Sequence, residues 1–519
     1  MYDFIVVGAG SAGCVVAEGL SARHSVLLIE AGGSDRASEV AVPAAFSKQF
    51  MTNRDWAFNT EPEPNALNRS LYVPRGRMLG GSSSMNAMIY MRGRPSDYEG
   101  WREMGAIGWG WSDVLPTFIR MEGNQRGQSE QHGATGPLRV EDLRNPNPLT
   151  RMFVDAATEM GIPPNSDFNG ATQDGVGFYQ VTQKRGRRWS AADAYLRPAM
   201  RRPTLDVLTR SMVSRVVFEG QRAIGVEYIK DETQVVAMAS SEVILSAGTI
   251  GSPHILQMSG VGDPHLLAPL GIDVVAASPD VGENFQDHLA IGVIQLCNSP
   301  LTLDTAENPA DIARWLAIRK GRLTSNVAEA GAFVRSQPEL AEPDLQFHFA
   351  PAQFENHGRD PFDGHASSLG PVLVNPRSRG SVKARSGDPT VAPAIRGHFL
   401  SDPKDSRALR AGFDLAREIL AATPFDEVRD SELVPGPDVV SDDEIEHFIQ
   451  DRCEAFYHPV GTCRMGDDET ANVVDSQLRV HGTTALRVAD ASVMPKIVSG
   501  NTNAPTMMIG ARAVEFVLG

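Results

Sequence analysis

The chain has 519 residues, 42% of them apolar and 22% charged, with a formal net charge of −16. That is an ordinary water-exposed globular composition, long enough for about three domain-sized units and an enclosed cofactor. The acidic balance excludes a nucleic-acid binder, which needs a basic face for phosphates, and weighs against an anionic lipid surface.

The N-terminal residues run directly into an apolar strand, with no basic region and no long apolar leader, so the cytoplasm is the expected compartment. No apolar run is long enough for stable membrane insertion. Cys14, Cys297, Cys453 and Cys463 are far apart and show no CxxC spacing, so neither a zinc site nor a disulfide framework is expected, and no metal is assigned. No repeat or low-complexity tract interrupts the chain.

Phe4 to Val7 reads as a strand buried on both faces. Residues 14–23 have helical spacing, and Ser25–Glu30 (SVLLIE) reads as a second parallel strand. A polar stretch rich in Pro and Gly follows, to about residue 110. Residues 203–246 read as several short strands, and a helix is expected from about Ser252. From about 300 to 450 the pattern changes to amphipathic helices (ENPADIARWLAIRK, SRALRAGFDLAREIL) and alternating strands (DLQFHFA). ALRVAD then reads as another buried strand, and PTMMIGARAVEFVL as a closing helix.

The expected fold is therefore α/β. A Rossmann-like cofactor domain is assembled from residues 1–155, 195–298 and 455–519. An inserted α+β substrate-binding domain, built on an antiparallel sheet, takes 156–194 and 299–454.

VVGAGSAG carries Gly8, Gly10 and Gly13 in G-x-G-x-x-G spacing between a strand and a helix. Gly8 permits the tight turn, Gly10 the approach of a pyrophosphate, and Gly13 close packing of helix on strand. The pyrophosphate then sits on the positive helix end, beside Ser11 and Ala12. Glu30, about 20 residues further on and followed by Ala31, is placed to accept from ribose hydroxyls and disfavours a 2′-phosphate. This motif alone does not choose between NAD and FAD.

Three further segments supply that choice. GRMLGGSSSMNAMIYMRG (Gly76–Gly93), GTIGSPHILQMSGVG (Gly248–Gly262), and the C-terminal HPVGTCRMG and VADASVMPKIVSGNTNAPTMMIG resemble the signatures of the glucose–methanol–choline oxidoreductases. The resemblance extends over nearly the whole chain and is nearest to bacterial choline-dehydrogenase-like proteins. It implies FAD as cofactor. Gly80, Gly81 and Ser82 would lie against phosphate or ribityl oxygens. Asn86 and Ala87 would face the flavin, the Val213 backbone the adenine, and Asp490 and Ala491 the cofactor from a strand end. The N-terminus of the last helix, with Pro505 in its first turn, would point at the flavin. Where some relatives attach flavin through a histidine, this chain has Met85, so non-covalent FAD is expected. The plainer readings are a turn at Gly80–Ser82 and a satisfied loop aspartate at Asp490.

The same resemblance makes His458 the catalytic base and Asn501 its polar partner on the substrate oxygen. A neutral imidazole suits removal of a hydroxyl proton near pH 7. Pro459 pushes His458 out of helical geometry. The implied reaction is oxidation of a small primary alcohol to the aldehyde by hydride transfer to flavin N5, with O2 or a quinone-type acceptor taking the electrons. Glu329 is read either as facing the substrate or as a structural ion-pair partner, with the second preferred. Trp56 and Cys463 are read as structural, and His288 either as a buttress of the cofactor or as structural, with the second preferred. The rival readings are a cyanohydrin-type flavin lyase on the same fold, a light-driven decarboxylase and an NAD-dependent dehydrogenase.

Overall fold

The structure is a computed structural model that describes residues 1–360 and 362–519. Its first layer is a parallel sheet in the order Leu205–Leu208, Val26–Ile29, Tyr2–Val7, Thr233–Leu245, with Leu486–Val488 paired beyond the last. Phe4, Ile5, Val6 and Val7 sit opposite Val26 to Ile29 on one side and Glu242 to Leu245 on the other. All-apolar strands fit this position, since helices cover both faces of a parallel sheet. The strand Thr233–Leu245 serves two sheets. Its second half joins the parallel layer, and its first half pairs antiparallel with Arg222–Lys230, which in turn pairs with Met212–Glu219.

The helix Ser11–Leu20 follows the first strand and packs against the C-terminal helix Asn503–Leu518. The two meet at glycine: a Cβ on Gly510 would stand 2.8 Å from the Ala12 carbonyl oxygen, and one on Gly19 2.7 Å from Val514. The first helix starts at Ser11, three residues before the periodic pattern, because the turn at Gly8 and Gly10 feeds directly into it. The helix expected from Ser252 begins at Gly248, where the Gly248 amide donates to the Asp490 carboxylate at 2.8 Å.

The second layer is antiparallel, in the order Arg429–Val434, Val293–Cys297, Ala366–Leu373, Leu345–Ala350, Ala330–Val334, Gly175–Phe178. The short strands Leu289–Ala290 and Glu454–Ala455 are attached to it. Leu289–Ala290 and Val293–Cys297 fall in the stretch assigned by sequence to the cofactor domain, yet they pair here; Val293 to Leu296 lie opposite Leu369 to Ala366. Their partners are some 75 residues downstream, a distance that local patterning does not reveal. The helices Pro403–Leu420 and Pro148–Glu159 bury one face of this sheet. Gly412 lets the first come close to Pro371, and Phe153 stacks on Phe349 at 5.0 Å.

The stretch to about residue 110, read from sequence as polar and rich in Pro and Gly, holds the helix Pro95–Glu103, and the helix Trp111–Met121 follows it. Beneath them lies a buried polar network. Arg92 and Glu122, both fully buried, pair at 2.6 Å. His132 bridges Glu122 at 3.0 Å and Asp167 at 2.8 Å. Among the described residues no helix is long and apolar enough to cross a membrane, and no cluster of His, Cys, Asp or Glu is arranged to hold a metal.

Candidate active site

A cavity of about 1630 Å³ runs between the two layers. Its walls include Gly8, Gly10, Ser11, Ala12, Glu30, Ala31, Gly81, Ser82, Asn86, Ala87, Val213, Asp490, Ala491, His458 and Asn501. Gly13 and Gly80 do not line it. Gly13 packs under the turn, where a Cβ would lie 1.9 Å from the Gly8 oxygen, and Gly80 is left-handed (φ +86°) against Ser84.

The cradle fits a dinucleotide. Gly8 has φ +96°, and a Cβ there would meet the Ser246 oxygen at 2.5 Å; one on Gly81 would meet Gly10 Cα at 2.7 Å. Gly10 gives the Ser11–Leu20 helix no side-chain cap, and Thr502 gives none to the Asn503–Leu518 helix. Two helix starts with unpaired amides thus open on the same cavity, as anionic groups require. Ser11 Oγ donates to Asn503 Oδ1 at 2.8 Å and ties the two starts together. Glu30 ends the second strand; its carboxylate accepts from the Ala9 and Gly32 amides, and burial pushes it up to about 7. Asp490 spans three elements, accepting from Gly248 N, Ser252 Oγ and Ser492 N, and so braces the cavity floor.

At the other end stands His458. Its Nε2 is 3.1 Å from Asn501 Nδ2 and its Nδ1 is 3.0 Å from His288 Nδ1. The Asn501 amide nitrogen only donates, so Nε2 of His458 is the acceptor. Gln346 Nε2 donates to Asn501 Oδ1 at 3.3 Å and to the Tyr179 hydroxyl at 3.1 Å, and Tyr179 donates to the Phe347 carbonyl. Those bonds orient the amide. The proton of His458 then belongs on Nδ1, donated to His288, and Nε2, unprotonated, accepts from Asn501 on the cavity wall. The backbone N–H of His458 donates to Asp287 Oδ1 at 2.7 Å.

Burial, reinforced by His288, His348 and Arg75, holds the His458 imidazole well below its usual range. Burial lowers His288 and His348 to about 3 and raises Asp287 to about 7. The ring set is therefore neutral near pH 7. His348 lines the cavity with both nitrogens unpaired, and it is flanked on neighbouring strands by Gly331 and Gly370.

His348, Gln346 and Asp287 were not picked out by sequence reasoning, and His288 was read as structural. Only the alternation of DLQFHFA, which puts Gln346 and His348 on one face, offered a signal. Glu329 does not line the cavity. It is fully buried, and its Oε2 accepts from Asn147 N and Thr150 Oγ1, both at 2.7 Å; no cation pairs with it among the described residues. Trp56 lines the cavity wall, with Arg77 over its ring at 4.7 Å. Cys463 is fully buried, which raises its thiol far above the usual range.

Two family models described as GMC oxidoreductase match residues 2–290 and 376–510. The chain is 46% identical to the alcohol dehydrogenase (acceptor) of Pseudomonas putida, over all of this chain and 96% of that one. It is 42% identical to the oxygen-dependent choline dehydrogenase of Brucella ovis, over all of this chain and 95% of that one. Among solved structures, pyridoxine 4-oxidase from Mesorbium loti superposes with a TM-score of 0.89 at 31% identity, covering 99% of this chain and 98% of that one. The cradle, the layered fold and these full-length likenesses agree, and the chain belongs to the GMC oxidoreductases, FAD-dependent enzymes acting on CH–OH donors.

Proposed function

We propose that the protein oxidises a small primary alcohol to the aldehyde, with His458 as the base and Asn501 as the group that holds the substrate oxygen. The observation that carries this reading is the unprotonated Nε2 of His458, 3.1 Å from a donor amide, on the wall of the cavity that also holds the glycine cradle. FAD, when bound, supplies the two-electron oxidant. His458 Nε2 accepts the hydroxyl proton as the carbon is oxidised. Asn501 Nδ2 then donates to the substrate oxygen while its charge develops. Asp287, at the His458 backbone, and His288, at its far ring nitrogen, keep the ring from turning away.

The sheet wall beside this pair carries Ala290, His348, Ala350, Ser368 and Gly370, and Glu454, paired with Ala290, lines the cavity with Phe456 and Tyr457. We assign the cofactor contacts to Gly8, Gly10, Ser11, Ala12, Glu30, Ala31, Gly81, Ser82, Asn86, Ala87, Val213, Asp490 and Ala491. The parallel layer is the cofactor unit and the antiparallel layer the substrate unit. Buried Met85 on the cavity wall supports non-covalent FAD. The electrons pass to O2 or a quinone-type carrier. Four free, buried thiols support a reducing compartment such as the cytoplasm.

The test is an anaerobic screen of neutral and cationic alcohols for bleaching of the flavin spectrum, followed by air. Bleaching by an alcohol is expected, and peroxide on admitting air marks O2 as the acceptor. A flavin that no alcohol reduces returns the cyanohydrin-type lyase to first place.

A further inference from the structure

The net charge of −16 is not spread evenly. Arg144, Lys184, Arg185, Arg187, Arg314 and Lys320 are all exposed, and none lies within 4.0 Å of a carboxylate among the described residues. The fold brings them together. Trp315 Nε1 donates to the Gly186 carbonyl at 3.0 Å, which seats the 184–187 turn on the helix Pro309–Ile318. A Cβ on Gly186 would lie 3.2 Å from Arg144 Cδ, and one on Gly321 3.1 Å from Arg314 Cδ. Gly321 N donates to Asn145 Oδ1 at 2.8 Å. The acids nearby are committed elsewhere: Asp311 pairs with Arg322 at 2.6 Å, Glu307 pairs with Lys48, and Glu141 accepts from the Arg185 amide.

Within this basic rim stands an aliphatic ridge. Ile312, Leu316 and Ile318 are 42%, 62% and 55% exposed. Ile312 and Leu316 are one turn apart and stand side by side, with exposed Ala313 and Ala317 next to them. The same helix turns Trp315 inward, into a cluster with Phe46, Phe50, Met85 and Val327, and those four line the cavity.

We propose that this face docks the enzyme on an anionic phospholipid surface, with Ile312, Leu316 and Ile318 in the headgroup boundary and the cations on the phosphates. An aliphatic stripe rimmed by Lys and Arg is the chemistry of an interfacial helix. Nucleic acid offers no hydrocarbon to such a ridge, and the rest of the chain repels it. Docking sets the apolar cluster beside the cavity against the bilayer, where apolar alcohols and lipid-borne electron acceptors concentrate.

Flotation of the FAD-loaded full chain with phosphatidylcholine vesicles, with and without phosphatidylglycerol, tests this. Wild type is expected to float only with the anionic vesicles, and to be released by salt. K184Q/R187Q/R314Q is expected to lose about fivefold in partition per charge removed. L316D/I318D is expected to lose binding as well. Neither variant touches the cavity wall, so both are expected to keep wild-type turnover with a soluble dye acceptor, which reports a folded holoenzyme. No flotation of wild type at low salt overturns the proposal, as does wild-type partition by either variant. Capture on immobilised polyglutamate without flotation assigns the face to an acidic protein and overturns it too.

Discussion

An imidazole serves as a base only while one ring nitrogen keeps its lone pair in reach of the substrate. Asn501 presents a donor to Nε2 of His458, and His288 offers the acceptor for Nδ1. Removing the ring by His458→Ala is expected to slow flavin reduction about 10²- to 10⁴-fold, measured by anaerobic stopped flow, with FAD retained. Reduction at the wild-type rate would move the base elsewhere. The pH dependence follows from the direction of the shift. The active form is unprotonated, and burial with His288, His348 and Arg75 nearby lowers the imidazole below its usual 6.5. The acid limb of kcat/KM is therefore expected below pH 6.5, with a plateau through neutrality; a limb centred above pH 7.5 speaks against His458. His458, Asn501 and the glycines were legible from their motifs. His288 was read as structural, because its partner is 170 residues away.

The helices Pro95–Glu103 and Trp111–Met121 rest on the Arg92–Glu122–His132–Asp167 network. Both nitrogens of His132 face carboxylates, so the ring is an imidazolium. Burial works against that charge, but bonds to Asp167 and Glu122 outweigh it and raise the ring to about 9. A raised folded-state pKa stabilises fully below the unfolded value near 6.5 and is lost as pH climbs through 9. The melting temperature is expected to fall between pH 7 and 9.5, and His132→Gln is expected to flatten that slope. Glu122→Gln leaves the buried Arg92 guanidinium unpaired and is expected to cost about 3–5 kcal/mol in denaturant titration. A loss under about 1 kcal/mol means the region relaxes to let water in. This stretch reads from sequence as polar and rich in Pro and Gly up to about residue 110, because the helix Pro95–Glu103 is short and buries only Tyr98, Trp101 and Asp97.

At the scale of the whole molecule, the cavity is a seam between two sheets closed by segments from both ends of the chain. FAD bound there without a covalent link is expected to appear entirely in the supernatant after acid precipitation. Free FAD at about 100 times its dissociation constant is expected to stabilise the fold by about 2.7 kcal/mol. Yellow colour retained in the pellet would reveal a covalent link. The strand–turn–helix at Gly8–Gly13, the parallel strands and the last helix were decided by sequence alone, because glycine spacing and apolar runs act over a few residues. Only the tertiary structure decided that Leu289–Cys297 joins the antiparallel sheet, that Glu329 turns away from the cavity, that His288 meets His458, and that unpaired cations collect on one face of an acidic chain. Each depends on partners tens to hundreds of residues apart. Burial and hydrogen-bond satisfaction over the assembled layers select those partners, and no local pattern encodes them.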